Sequence, residues 1–226
     1  MDWIDSYDLF LFDFDGLLVK TEHIHYQAYV NTLKNRGFDL GWSFQEFCQN
    51  AHLESTGLKE AIYAKFPDLQ EQQPTWDIIY KEKKSAYLEL LISSKIELMP
   101  GVEDLLLRLD RAKKNSCVVT NSVKEHTDLI VAQLPILKTI SHWITREDYI
   151  LPKPSSECYL RAIELYEKKG NGIIGFEDTI KGLKALIKTP AQPVLISSSK
   201  AANIQAIEEG SFIHYESLEK IPLEKI

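Results

Sequence analysis

The chain has 226 residues, 44% of them hydrophobic and 26% charged, which excludes disorder and fibrous repeats and leaves a globular protein with one substantial core or two small ones. Its formal charge of −7 argues against a broad electrostatic footprint for nucleic acid or anionic lipid. Most of the excess sits in residues 1 to 18, which carry Asp2, Asp5, Asp8, Asp13 and Asp15 and no Lys or Arg. Cys48, Cys117 and Cys158 are too scattered for a disulfide framework or a paired-cysteine metal site, so a reducing, cytoplasmic setting is expected. The N-terminus has no apolar signal core and no run is long enough to span a membrane.

In chain order, Leu9 to Phe14 is an apolar run broken only by Asp13 and closed by Asp15-Gly16; it reads as a central strand buried on both faces. Residues 20–95 carry no convincing strand but hold aromatics at helical spacing (Tyr26, Tyr29, Tyr63, Phe66, Tyr80, Tyr87), and are read as an inserted helical subdomain. Met99-Pro100-Gly101 marks the return to the sheet. Further strands are expected at Cys117 to Thr120, His142 to Thr145, Gly172 to Phe176 and Pro193 to Ser197. Helix faces are expected at Leu105, Leu106, Leu109 and Ala112; at Ile130, Val131 and Leu134; at Leu160, Ile163 and Leu165 with Tyr166; and at Leu183, Leu186 and Ile187. This alternation implies an α/β fold, a parallel Rossmann-like sheet wrapped by helices, built from residues 1–19 and 96–226.

In an open parallel sheet, ligands bind beyond the carboxyl ends of the strands. Asp13 and Asp15 end the first strand, and two close like charges call for a hard cation such as Mg²⁺; a solvated acidic turn is the plainer alternative. Glu177-Asp178 ends a second apolar strand and offers another pair of hard ligands, or simply caps the helix that follows. Thr120-Asn121-Ser122 joins a strand to a helix and is either an anion site or an ordinary cap. Lys153-Pro154 stands ahead of a further helix, where a cation has no capping rationale; it is either exposed or turned toward the carboxylates.

Asp13-x-Asp15-Gly16, Thr120-Asn121, Lys153-Pro154 and Glu177-Asp178-Thr179 with Gly182, in that order and with a helical insert after the first, resemble the haloacid dehalogenase (HAD) superfamily. The likeness is to the branch with an all-helical cap that includes phosphoglycolate phosphatases, sugar-phosphate phosphatases and β-phosphoglucomutase. It runs from about Tyr7 to Ser197, and four ordered motifs are far more specific than any one. The resemblance implies a Mg²⁺-dependent phosphatase acting on a small phosphorylated metabolite, with Asp13 as nucleophile and Asp15 as general acid and base. It further implies Asp13, the Asp15 carbonyl, Asp178 and Glu177 as metal ligands, and Thr120, Asn121 and Lys153 as holders of the phosphoryl group.

Thr21, His25 and Lys83 resemble family positions near the cap hinge or facing the site; Lys83 lies in Lys81-Glu82-Lys83-Lys84, which by composition reads as a solvated face. The family's mutases use a cap arginine, expected around His52 to Thr56, whereas the only arginine of residues 20–95 is Arg36, so hydrolysis is favoured over a mutase. A phosphorylation-switched or non-catalytic binding protein is the alternative of another class. The departures are Thr179 where Ser is usual, Leu183-Lys184 where small residues are common, Ile187-Lys188-Thr189-Pro190 in place of an Ala-Gly helix ending, and Ser197-Ser198-Ser199 after the last strand. A monomer or weak homodimer, with neither nucleic acid nor membrane as partner, is expected.

Overall fold

A computed structural model describes residues 2–53, 57–168, 170, 172–197 and 211–222. The chain forms two compact units, Met1–Lys20 with Glu97–Ile226, and Thr21–Ile96.

The first unit is a parallel sheet of β1 (Tyr7–Phe12), β2 (Asn115–Val119), β3 (His142–Ile144), β4 (Gly172–Glu177), β5 (Gln192–Ile196) and β6 (Ile213–Tyr215), in the order β3-β2-β1-β4-β5-β6. β1 therefore lies between β2 and β4, with Leu9 opposite Asn115 on one side and Ile173 on the other. Leu9, Phe10, Leu11 and Phe12 are all buried, as a strand covered on both faces requires. On one face Phe12 stacks on Phe176, its register partner, with ring centroids 5.2 Å apart. On the other, Leu9 and Leu11 join Cys117, Val119 and Ile173 in a core completed by a helix. Each such fully buried apolar side chain contributes about 1.5–3 kcal/mol.

That helix is α8 (Glu157–Tyr166), which among the described residues follows α6 (Val102–Arg111) and α7 (Lys124–Gln133) in this unit and precedes α9 (Ile180–Leu186). Its buried stripe is Cys158, Tyr159, Ala162 and Ile163, whereas Leu160 and Leu165 are 44% and 46% exposed. The expected face of Leu160, Ile163 and Leu165 is thus corrected: at 3.6 residues per turn, positions 158, 159, 162, 163 and 166 share one side, and both leucines fall off it. In α6 Leu105, Leu106 and Leu109 are buried as expected, but Ala112 is the exposed residue just past its end.

β1 stops two residues earlier than the expected strand because the chain turns at once. Gly16, at φ 84°, donates its N–H to the Val19 carbonyl, and the amides of Leu18 and Val19 return to Phe14 O. Asp13 N still donates to Phe176 O at 3.0 Å, so the nucleophile candidate is the first residue beyond the strand. β6 has no counterpart among the expected strands, and Ser198 and Ser199 lie outside the described residues.

The second unit contains α1 (Glu22–Asn35), α2 (Phe44–Leu53), α3 (Gly57–Lys65), α4 (Pro67–Gln72) and α5 (Trp76–Ser93) among the described residues. Tyr29, Leu33, Leu40, Phe47, Ile62, Tyr63, Leu69 and Ile79 form its core. Arg36, following α1, grips Glu82 of α5 through Nε and Nη2, both at 2.7 Å. Lys83 corrects the expectation of a solvated face: it is 5% exposed, because Ile79, Lys83, Tyr87 and Leu91 recur every fourth residue along the buried side of α5. Of the segment His52 to Thr56, residues 54–56 lie outside the described residues. Among the described residues no helix is long and apolar enough to cross a membrane.

Candidate active site

The sheet reverses its winding between β1 and β4, the position at which open α/β sheets bind ligands beyond their carboxyl edge. Asp13 follows β1, Thr120 follows β2 and Glu177 ends β4, so adjacent strands deliver three of the expected groups to one edge.

Lys153 is the hub. It lies in the connection ahead of α8, 3% exposed, after a chain that enters the cis Lys153–Pro154 peptide. Its Nζ is 2.5 Å from Asp13 Oδ1, 2.6 Å from Glu177 Oε1, 2.8 Å from Val119 O and 3.1 Å from Tyr159 Oη. Removing an ammonium from water costs several kcal/mol, and this ring of acceptors is what offsets it. Burial works to lower the Lys153 pKa, but Asp13 and Glu177 outweigh it and hold the group well above its ordinary value. The reading of Lys153 as an exposed lysine is excluded.

Asp13 is pushed up to about 7 by burial, with Lys153 opposing and Glu177 adding repulsion. Asp13, Glu177 and Asp178 form a carboxylate cluster whose ligand oxygens all lie within 4.8 Å of one another. Lys153 bonds Asp13 and Glu177 of this cluster, and Glu177 Oε2 is buried with no hydrogen-bond partner among the described residues. An all-oxygen, acidic donor set with an orphaned buried oxygen fits a hard divalent cation such as Mg²⁺.

Glu177 is wholly buried, its carboxylate lodged against Gly182 of α9, where a Cβ would overlap both carboxylate oxygens. Thr179 opens α9, its hydroxyl accepting from Gly182 N at 3.1 Å, so the departure from Ser leaves the helix start intact. Asp15 is turned toward the β2 edge, where Ser122 Oγ donates to its Oδ2 at 2.5 Å. Thr120 is buried; its hydroxyl accepts from Ser122 N at 2.9 Å, and Tyr149 Oη reaches both Thr120 O and Asn121 Oδ1. Asn121 Oδ1 also accepts from Lys153 N at 3.3 Å.

Asp13, Asp15, Thr120, Asn121, Lys153, Glu177 and Asp178 therefore all belong to the first unit and to one edge of its sheet. Thr21, His25 and Lys83 belong to the helical unit. There Thr21 is buried at the start of α1, and Lys83 Nζ lies 2.6 Å from His25 Nδ1. The His25 ring stacks on Tyr87 at 4.0 Å, and Lys83 sits 4.7 Å from the Tyr87 centroid and 5.3 Å from that of Tyr29.

Sequence reasoning gave no role to Ser122, Tyr159 or Lys181. Ser122 was within reach as the third residue of the Thr120 motif. Lys181 was too, since a cation at a helix start has no capping rationale, the argument applied to Lys153. Burial pushes the Lys181 pKa down, opposed by Asp13, so it lies within electrostatic range of the site. Tyr159 carries no signal beyond its place on the α8 stripe.

The first unit thus presents carboxylates, a lysine and hydroxyls at the winding reversal of a parallel sheet. The chain belongs to the haloacid dehalogenase-like hydrolase family, whose profile matches residues 7–188. It is 26% identical over 193 residues to Protein CbbY of Rhodobacter capsulatus, covering 83% of this chain and 84% of that one. It is 22% identical over 182 residues to a phosphorylated carbohydrates phosphatase of Thermotoga maritima, covering 77% and 78%. The crystal structure of CbbY from Rhodobacter sphaeroides in complex with phosphate superposes with a TM-score of 0.74 at 21% identity, covering 95% of this chain and 96% of that one.

Proposed function

We propose that the protein is a Mg²⁺-dependent phosphatase that hydrolyses a small phosphorylated metabolite, a sugar phosphate or similar phosphomonoester, through an aspartyl-phosphate on Asp13. The observation that carries this reading is the Asp13–Lys153 contact of 2.5 Å inside a carboxylate cluster: a buried carboxylate oriented by an ammonium is built to attack phosphorus. The likeness to a phosphatase of phosphorylated carbohydrates, and to a fold crystallised with phosphate, supports the substrate class.

In the first half-reaction an Asp13 carboxylate oxygen attacks phosphorus and the phosphorus–oxygen ester bond breaks, while Asp15 gives its proton to the leaving alkoxide. In the second, ionised Asp15 takes a proton from water, whose oxygen attacks the phosphorus and releases inorganic phosphate, restoring Asp13. Thr120 and Asn121 hold phosphoryl oxygens, and Lys153 offsets the charge of Asp13 and the phosphoryl group. Asp13, Asp178, Glu177 and the Asp15 carbonyl would hold Mg²⁺, which when bound supplies the charge that lessens repulsion between nucleophile and phosphate.

The helical unit is assigned the role of substrate-selecting cap, with Thr21, His25 and Lys83 as its candidate substrate residues by resemblance to the family. Hydrolysis is favoured over mutase chemistry because Arg36, the only arginine of residues 20–95, is engaged by Glu82. The test is a panel of phosphorylated metabolites assayed for phosphate release with Mg²⁺, wild type beside Asp13→Asn. Wild type should release phosphate from at least one compound and the variant from none; folded wild-type protein silent across the panel sinks the reading.

A further inference from the structure

Tyr159 stands inside the charged cluster with no part in the chemistry above. It is among the largest fully buried side chains, and its hydroxyl has two engagements. It donates to Glu177 Oε1 at 2.5 Å and accepts from Lys153 Nζ at 3.1 Å, while its ring lies 4.8 Å from the same Nζ. A tyrosine filling only apolar space would leave its hydroxyl to be satisfied by backbone or water; this one closes a triangle with the two groups that orient the nucleophile.

The consequence lies in how Glu177 divides its oxygens. Oε1 receives both Lys153 and Tyr159, whereas Oε2 has no hydrogen-bond partner among the described residues; Gly182 packs against both oxygens. Two strong donors on one oxygen draw its charge away from the cation site and fix the carboxylate plane. With Glu177 fixed, the three N–H groups of Lys153 are shared among Glu177 Oε1, Val119 O, Tyr159 Oη and Asp13 Oδ1, and the shortest of these contacts is to Asp13 Oδ1.

We propose that Tyr159 is a positioning residue: its hydroxyl pins Glu177 and Lys153 in the geometry that aims Lys153 at Asp13, and withholds Glu177 Oε1 from the metal. The inference rests on the phosphatase reading. It separates Tyr159 from a merely structural tyrosine by sign: removing the hydroxyl exposes more carboxylate charge, so cation binding tightens while turnover falls.

The experiment compares wild type, Tyr159→Phe, Glu177→Gln and the double variant, using para-nitrophenyl phosphate or the best compound of the panel, with Mg²⁺ affinity read by calorimetry on metal-free protein. Near-ultraviolet circular dichroism establishes that the Phe ring keeps the core packed. Tyr159→Phe should lower kcat about ten- to a hundredfold with KM nearly unchanged, and bind Mg²⁺ more tightly. Because Tyr159 acts through Glu177, the double variant should turn over no more slowly than Glu177→Gln alone. Turnover within about twofold of wild type in Tyr159→Phe, weaker Mg²⁺ binding, or losses that multiply in the double variant overturn the inference while leaving an active wild type and the phosphatase reading in place. A wild type that neither binds Mg²⁺ nor releases phosphate overturns both.

Discussion

The carboxylate of Glu177 occupies the space that a side chain at Gly182 would need: a Cβ there would overlap both of its oxygens. Gly182→Ala should therefore drive Glu177 off Lys153 and Tyr159. A destabilisation of about 1–3 kcal/mol in urea titration is expected from overpacking, with activity falling further than stability. An alanine variant of native stability and turnover would show that the carboxylate has somewhere else to go.

Lys153→Met keeps the length of the side chain but leaves Asp13 and Glu177 as buried carboxylates without their cation. Removing one partner of a buried, hydrogen-bonded charge cluster costs about 3–5 kcal/mol. Chemical denaturation measures it, and a loss under about 1 kcal/mol would mean that water reaches the cluster freely.

Metal binding should stabilise the folded chain. Mg²⁺ at about a hundred times its dissociation constant should add about 2.7 kcal/mol, seen as a rise in melting temperature reversed by chelator. Asp178→Asn removes one charge of the cluster and should abolish most of that rise. If the variant responds to Mg²⁺ as wild type does, the cation binds elsewhere.

Glu157 supplies one pH-dependent contact. Its carboxylate accepts from the amides of Ile150 and Leu151, at 2.7 and 2.9 Å, and these bonds hold its pKa below the ordinary 4.5. Because the folded value is depressed, the contribution is present above the unfolded value and disappears as pH falls through the folded one. Protection of the Ile150 and Leu151 amides against hydrogen exchange should drop on acidification below 4.5, and Glu157→Gln should show low protection at every pH. Equal pH dependence in the variant would assign the effect to another group.

The sheet and its edge were legible because apolar strands ending in charge leave few arrangements open. A run such as Leu9 to Phe12 must be buried, and the acids after it must then sit at its carboxyl end. Side-chain character misled where period decided. Leu160 and Leu165 look like core residues and are exposed, while Lys83 looks like surface and is buried on the stripe with Ile79 and Tyr87. Tyr159 was illegible for a deeper reason: its role comes from Lys153 and Glu177 converging on it, and nothing local to residue 159 encodes that meeting. β6, Ile213-His214-Tyr215, has no fully buried residue, so no apolar run marks it.

The two chain crossings that bound the helical insertion run side by side as an antiparallel ribbon. Val19 bridges Leu98, Lys20 N donates to Glu97 O at 2.9 Å, and Met99 N donates to Leu18 O at 2.9 Å. The departing and returning ends are thus already neighbours, at the spacing a short hairpin turn spans. Residues 21–96 are topologically a cassette: an Asn-Gly turn joining Lys20 to Glu97 would close the same ribbon, and a chain so shortened is expected to keep the strand pairing of the sheet.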